Sequence, residues 1–203
     1  RIVASSYVQP ISNPFEATIS GTPPNLRPSV PADEDIKQSD YRLHLHTDGA
    51  KRLPDIFWNG SSLPYRLARQ DGPAPLIFII AGTGAAYSSG TVESLKRLFY
   101  GAGYHVLQLS SPTSYDFITA ASTSATPGIS RDDAQDLYRV MEAIKAQHDD
   151  LQVSAYHLTG YSLGALNAAF VSQLDEQRKG FNLKRVLLLN PPVDLLTALD
   201  HPD

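Results

Sequence analysis

No cysteine occurs among the 203 residues of this chain, which excludes disulfides, thiolate nucleophiles and cysteine-ligated zinc outright. No apolar run approaches the length that spans a bilayer, since "PLIFIIAG" is only strand-sized. Basic clusters are lacking too. Lys and Arg number 17 against 21 Asp and Glu, for a net charge of −4, and the positive residues gather on no one face. This argues against a nucleic-acid footprint and against an anionic-membrane patch. An initial methionine is also missing. The chain opens on Arg1 and reads as a processed or trimmed piece of something longer. That start, together with the absent cysteine, sets the expectation of a periplasmic or secreted protein.

What is present is ordinary for a globular protein: 42% hydrophobic and 19% charged residues, in a length that suits one substantial domain and is short for two. Residues 1–40 differ from the rest. Pro10, Pro14, Pro23, Pro24, Pro28 and Pro31 oppose regular helix and central strand, so this part is expected to be an extended arm. From Tyr41 the pattern alternates. "YRLHLH" sets Tyr41, Leu43 and Leu45 on one face of a strand, and "LPYRLARQ" reads as its antiparallel neighbour. Strands and helices then alternate. "PLIFIIAG" is apolar throughout, as a strand buried on both faces requires. "TVESLKRLFYGAG" is an amphipathic helix stopping at glycine, and "RDDAQDLYRVMEAIKAQHDD" is a long helix with Ser130 as its expected N-cap. "YHVLQLSS", "LQVSAYHLTG" and "LKRVLLLN" complete a mostly parallel α/β sheet with helices on both faces, which spans 41–203.

The most informative stretch is "YHLTGYSLGALNAAF". Gly160-Tyr161-Ser162-Leu163-Gly164 fits G-x-S-x-G, with a strand entering and a helix leaving. A serine raised on so sharp a turn sits in strained backbone, and the residues two positions away must be small. The helix N-terminus behind Ser162 adds positive potential where an oxyanion would form. A rival reading of "AGTGAAYSSG" as a nucleotide loop fails. Gly82-Thr83-Gly84 is followed by Tyr87 where G-x-G-x-x-G needs glycine, and no G-K-[ST] follows.

With this elbow and this order of elements, the chain from about Tyr41 resembles the α/β-hydrolase fold family. The resemblance covers the elements through the sixth strand, so a sheet without its last strands is expected. It implies that the backbone N–H groups of Thr83 and Leu163 form an oxyanion hole, although Ala81 stands where many members carry histidine. It also makes Asp194, just beyond the sixth strand, a candidate catalytic acid, the other reading being an N-cap of the next helix.

The base is the difficulty. A serine hydroxyl needs a proton acceptor, and in the family's order the histidine follows the serine. His105 and His148 are expected at the opposite edge of the sheet. His157 lies within a strand below the elbow, and His44 with His46 form a pair lacking a third metal ligand. His201 alone follows Ser162, but two strands too early for the family's histidine loop. The expectation is a serine hydrolase acting on an ester, thioester or amide through an acyl-enzyme on Ser162, without cofactor or metal, whose base lies outside these residues. A small-molecule or lipid acyl compound would be the substrate. The exposed sheet edge would be covered by a C-terminal segment or a second copy. The alternatives are a catalytically incomplete binding or scaffold protein, and a complete short enzyme using His201. In the loop after the fourth strand, Tyr115 and Phe117 are candidates to line an acyl pocket, the other reading being a long surface loop.

Overall fold

The computed structural model describes residue 13 and residues 28–45 and 62–192. The chain divides between Val30 and Pro31 into two compact units, and every described helix and strand lies in the second. In chain order these are β1 (Gln38–Leu43), β2 (Leu63–Ala68), β3 (Ala74–Ile80), α1 (Gly90–Gly101), β4 (His105–Leu109), α2 (Tyr115–Ala120), α3 (Ser130–Gln147), β5 (Val153–Tyr161), α4 (Leu163–Arg178) and β6 (Arg185–Leu189). A short 3-10 turn at Asp33–Asp35 precedes β1.

The six strands form one sheet in the order β1-β2-β4-β3-β5-β6. β2 pairs antiparallel with β1 and with β4, and the remaining pairs are parallel. This is the mostly parallel α/β sheet with an antiparallel start that the sequence pattern predicts. β3 shows why its run is apolar throughout. Leu76, Phe78 and Ile80 pack into a core on one face, with Leu137, Val140 and Met141 of α3. Ile77 and Ile79 pack on the other face against Val92 of α1. A period of two with both faces covered leaves no polar position in the strand.

Three details differ from expectation. β1 begins at Gln38, before the expected boundary at Tyr41, because Gln38, Ser39 and Asp40 pair with Ala68, Leu67 and Arg66. Ser130 is the first residue of α3 and not its N-cap. Ile129 holds the cap position, and the Asp133 carboxylate reaches back to accept from the Gly128 amide at 2.9 Å. The stretch after β4 contains α2, whose N-cap Ser114 accepts from the Phe117 amide at 3.3 Å. Phe117 is fully buried in the larger core, so it lines no open acyl pocket, while Tyr115 is 53% exposed.

Registry brings the carboxyl ends of the parallel strands together: Ile80 lies beside Leu109 and Gly160, and Tyr161 beside Leu189. At the sheet's far flank, among the described residues, β6 pairs only with β5, and Leu187 and Leu188 are 46% and 38% exposed. Successive residues point to opposite faces, so both faces of this edge strand present apolar side chains. Among the described residues, no helix is long and apolar enough to cross a membrane.

Candidate functional site

Ser162 stands between β5 and α4 with φ 52° and ψ −130°, a conformation that L-residues other than glycine rarely adopt. Backbone held there costs on the order of 1–3 kcal/mol and persists only where the surroundings enforce it. The surroundings here are tight. The Ser162 amide donates to Leu189 O at 2.9 Å, and its carbonyl accepts from Ala165 N at 2.9 Å. A Cβ on Gly160 would run into the backbone of Gly164 and come within 2.8 Å of Ala165 N. One on Gly164 would collide with Ile80 O and lie 2.5 Å from Ala81 O. The two motif glycines therefore let β5, α4 and the end of β3 close on one another. At Gly82 the obstacle is a side chain, since an added Cβ would fall 2.6 Å from the Tyr161 ring.

The loop leaving β3 begins with a tight turn, in which Ala85 N donates to Gly82 O at 3.0 Å. Gly84, at its third position, has φ +66°, which favours glycine. Thr83 and Ser162 are both exposed, at the same edge of adjacent strands. Among the described residues, neither the Thr83 amide nor the Leu163 amide donates to any group. Leu163 opens the 16-residue helix α4, whose first turn carries no acidic residue. Its unpaired N–H groups give this end of the site a positive potential.

The loop is braced from β4. Thr113 Oγ1 accepts from Gly84 N at 2.8 Å, Ser111 N donates to Ala85 O at 3.0 Å, and Ser110 Oγ accepts from Tyr87 N at 2.9 Å. From the other side, the Tyr161 and Ser89 hydroxyls meet at 3.2 Å. Sequence reasoning missed these braces. The hydroxyl cluster "SSPTS" stands directly after a buried strand, but says nothing of which amides it meets.

Among the described residues, the Ser162 hydroxyl has no hydrogen-bond partner. Three buried or half-buried histidines are committed elsewhere. His105, paired with Leu76 at the opposite edge of the sheet, accepts from Gln70 N at 3.0 Å. His148, past the end of α3, lies 2.8 Å from Tyr65 Oη and 2.7 Å from an Arg69 nitrogen. His157 lies within β5 with its ring edge-on to Tyr104. Burial holds all three below the ordinary histidine value of 6.5, and Arg69 adds to this at His105 and His148 and Arg185 at His157. His44 is exposed, just past the end of β1. Asp194, His201 and His46 lie outside the described residues.

No family model and no curated protein matches this chain. Solved structures do. A brefeldin A esterase, described as a bacterial homologue of human hormone sensitive lipase, aligns over 87% of this chain and 48% of its own, with TM-score 0.55 and 14% identity. A hyperthermophilic esterase from the archaeon Pyrobaculum calidifontis aligns over 82% of this chain and 48% of its own, with TM-score 0.53 and 19% identity. Est1E from Butyrivibrio proteoclasticus aligns over 80% and 56%, with TM-score 0.50 and 11% identity. The chain thus has the α/β-hydrolase fold, and spans about half the length of the solved structures it matches.

Proposed function

We propose that this chain carries the nucleophile and oxyanion half of a serine hydrolase acting on esters, thioesters or amides. The observation that carries the reading is the strained Ser162, at φ 52° and ψ −130°, exposed at the sheet edge beside the turn bearing Thr83. In this reading Ser162 Oγ attacks the acyl carbon as an imidazole takes its proton. The carbonyl oxygen gains negative charge and is met by the amides of Thr83 and Leu163. The tetrahedral intermediate collapses to an acyl-enzyme, and the leaving alkoxide, thiolate or amine takes the proton back from the imidazole. Water, activated by the same imidazole, then releases the acid. The esterase neighbours favour ester substrates, small-molecule or lipid.

The imidazole is assigned to a residue other than His105, His148 and His157, whose hydrogen bonds and ring contacts occupy them away from Ser162. Asp194 is the proposed acid. The edge of β6, with Leu187 and Leu188 exposed, is where a further segment of the chain or a second copy would pack. A second reading, an α/β-hydrolase fold used as a binding or scaffold module, is favoured by the absence of any base beside Ser162 among the described residues.

One experiment separates them. The full-length protein is treated with a fluorophosphonate and assayed on an activated ester, beside Ser162→Ala, Asp194→Asn and His201→Ala. Labelling and turnover abolished by Ser162→Ala support the hydrolase, with Asp194→Asn impaired and His201→Ala near wild type. Loss of turnover in His201→Ala replaces the distant base with the short-enzyme reading. Full-length protein that resists the phosphonate and turns over no acyl substrate refutes the hydrolase and leaves the scaffold.

A further inference from the structure

The turn that bears Thr83 has three backbone amides to place, and the structure disposes of two. Ala85 N closes the turn on Gly82 O at 3.0 Å, and Gly84 N is taken by the Thr113 hydroxyl oxygen at 2.8 Å. Thr83 N is the one left over. The positive φ of Gly84, +66° at the third position, is that of a type II turn. Its alternative, type I, turns the Thr83–Gly84 peptide over, so that Gly84 N–H points away from its present acceptor. A fixed acceptor for Gly84 N therefore selects one form of the turn.

Thr113 is itself fixed. Its hydroxyl and that of Ser111 share a hydrogen bond at 2.8 Å, and Thr113 N donates to Ser111 Oγ at 3.3 Å. Ser111 is fully buried and donates its amide to Ala85 O at 3.0 Å. Ser110, also fully buried, accepts from Tyr87 N at 2.9 Å. The end of β4 is thus joined to the β3 loop at residues 84, 85 and 87, with Ser110 and Ser111 buried, Thr113 half-buried and Gly84 exposed. Two of these bonds fall within the turn that presents Thr83, and the third just beyond it.

We infer that Thr113 is a positioning residue for the oxyanion site: its hydroxyl holds Gly84 N, locks the turn in one form, and leaves the Thr83 amide free and aimed. The inference rests on the hydrolase reading of Ser162. Thr113 touches no reacting atom. It acts only through the backbone of Gly84 and Thr83, so its loss is felt where charge develops on the carbonyl oxygen and not in substrate binding.

The test uses the full-length protein, with Thr113→Val, which keeps the shape and removes the acceptor, and Thr113→Ser, which restores it. Ser111→Ala, which removes the partner of Thr113 without touching Gly84, is the second variant should Thr113→Val fail to fold. The expected result for Thr113→Val is a loss of about 10–100-fold in kcat on an activated ester and in the rate of fluorophosphonate labelling, with KM changed by less than about threefold. Thr113→Ser recovers most of that loss, and Ser111→Ala shows a smaller loss of the same kind. Wild-type rates in Thr113→Val, a loss confined to KM, or equal losses in Thr113→Val and Thr113→Ser overturn the inference while Ser162 is still labelled in the wild type. Wild-type protein that is not labelled at all overturns the hydrolase reading, and this inference with it.

Discussion

Replacing Gly164 by alanine puts a methyl group between two backbones that cannot easily part. The new Cβ would collide with Ile80 O and lie 2.5 Å from Ala81 O, about 0.9 Å inside the 3.4 Å at which ordinary contact begins. Neither obstacle is a side chain able to swing aside. Both are carbonyls at the end of β3, the strand at the centre of the sheet. Alanine gains roughly 0.5–1 kcal/mol over glycine in a helix, whereas overpacking a well-packed site costs roughly 1–3 kcal/mol. With rigid backbone on both sides the upper part of that range applies, for a net loss of about 1–2 kcal/mol. In a chain of this size each kcal/mol moves Tm by roughly 2–4 °C, so a fall of about 2–8 °C is expected by calorimetry. Activity should suffer more. The displacement that relieves the clash separates the start of α4 from the turn bearing Thr83, and a misplacement near 1 Å costs on the order of 10²-fold in rate. Gly90→Ala is the control: an added Cβ there meets nothing within 4 Å, so Tm and turnover should hold or rise slightly. A Gly164→Ala protein with wild-type Tm and wild-type kcat on an activated ester would falsify the close approach of β3 and α4.

Three further outcomes are expected. Ser162→Gly should melt a few degrees above Ser162→Ala, because glycine accepts φ 52° and ψ −130° and alanine does not; equal melting points would show that the turn stores no strain. Stability should fall as pH drops below about 6.5, since His105, His148 and His157 have folded values held under 6.5, by burial first. The unfolded chain then binds more protons than the folded one in that window, and the stability present above the unfolded value is lost toward the folded values; urea melts that are flat from pH 7.5 to 5 would count against it. Leu187→Lys with Leu188→Lys, which charges both faces of the β6 edge, should reduce self-association of the 203-residue chain in sedimentation; unchanged sedimentation would mean that this edge is not what associates.

Much of the fold was legible because local pattern and tertiary role coincide. The apolar run of β3 is apolar for a reason visible in the structure: one face meets α3 and the other α1. The motif glycines were legible as a steric need, and Gly160 and Gly164 have no room for a Cβ. The order of strands was not readable from local pattern, since nothing in "YHVLQLSS" says that β4 inserts between β2 and β3. α2 was missed because six residues are too few for a helical period to emerge; only its Ser114 cap and Asp116 in the first turn marked it. Ser130 misled because a serine shortly before two aspartates resembles a cap, yet it already lies inside a helix that no side chain caps, and Asp133 ties back to the Gly128 amide ahead of it. The braces at Ser110 and Thr113 were beyond reach for another reason. They join segments far apart in sequence, and a hydroxyl carries no sign of which amide it will meet.

The strain at Ser162 bears on what the turn is for. If β5 needed only a sharp connection into α4, glycine at 162 would provide it without the cost of about 1–3 kcal/mol that a side chain incurs in this conformation. Asparagine, the residue most tolerant of positive φ after glycine, would reduce the cost. The chain has glycine at 160 and at 164, where the walls leave no choice, and an exposed hydroxyl at 162, where φ is positive. The same surroundings then hold it: Leu189 O takes its amide, and the glycines on either side admit the backbone that keeps the side chain exposed. Positive φ recurs at Ala125, Lys179, Asn182 and Asn190, but Lys179 takes the left-handed helical geometry common at a helix end, whereas Ser162 has ψ −130°. That penalty is hard to explain by a sharp turn alone. It is explained if the hydroxyl must stand where that backbone puts it, above the sheet edge and beside the unpaired amides of Thr83 and Leu163.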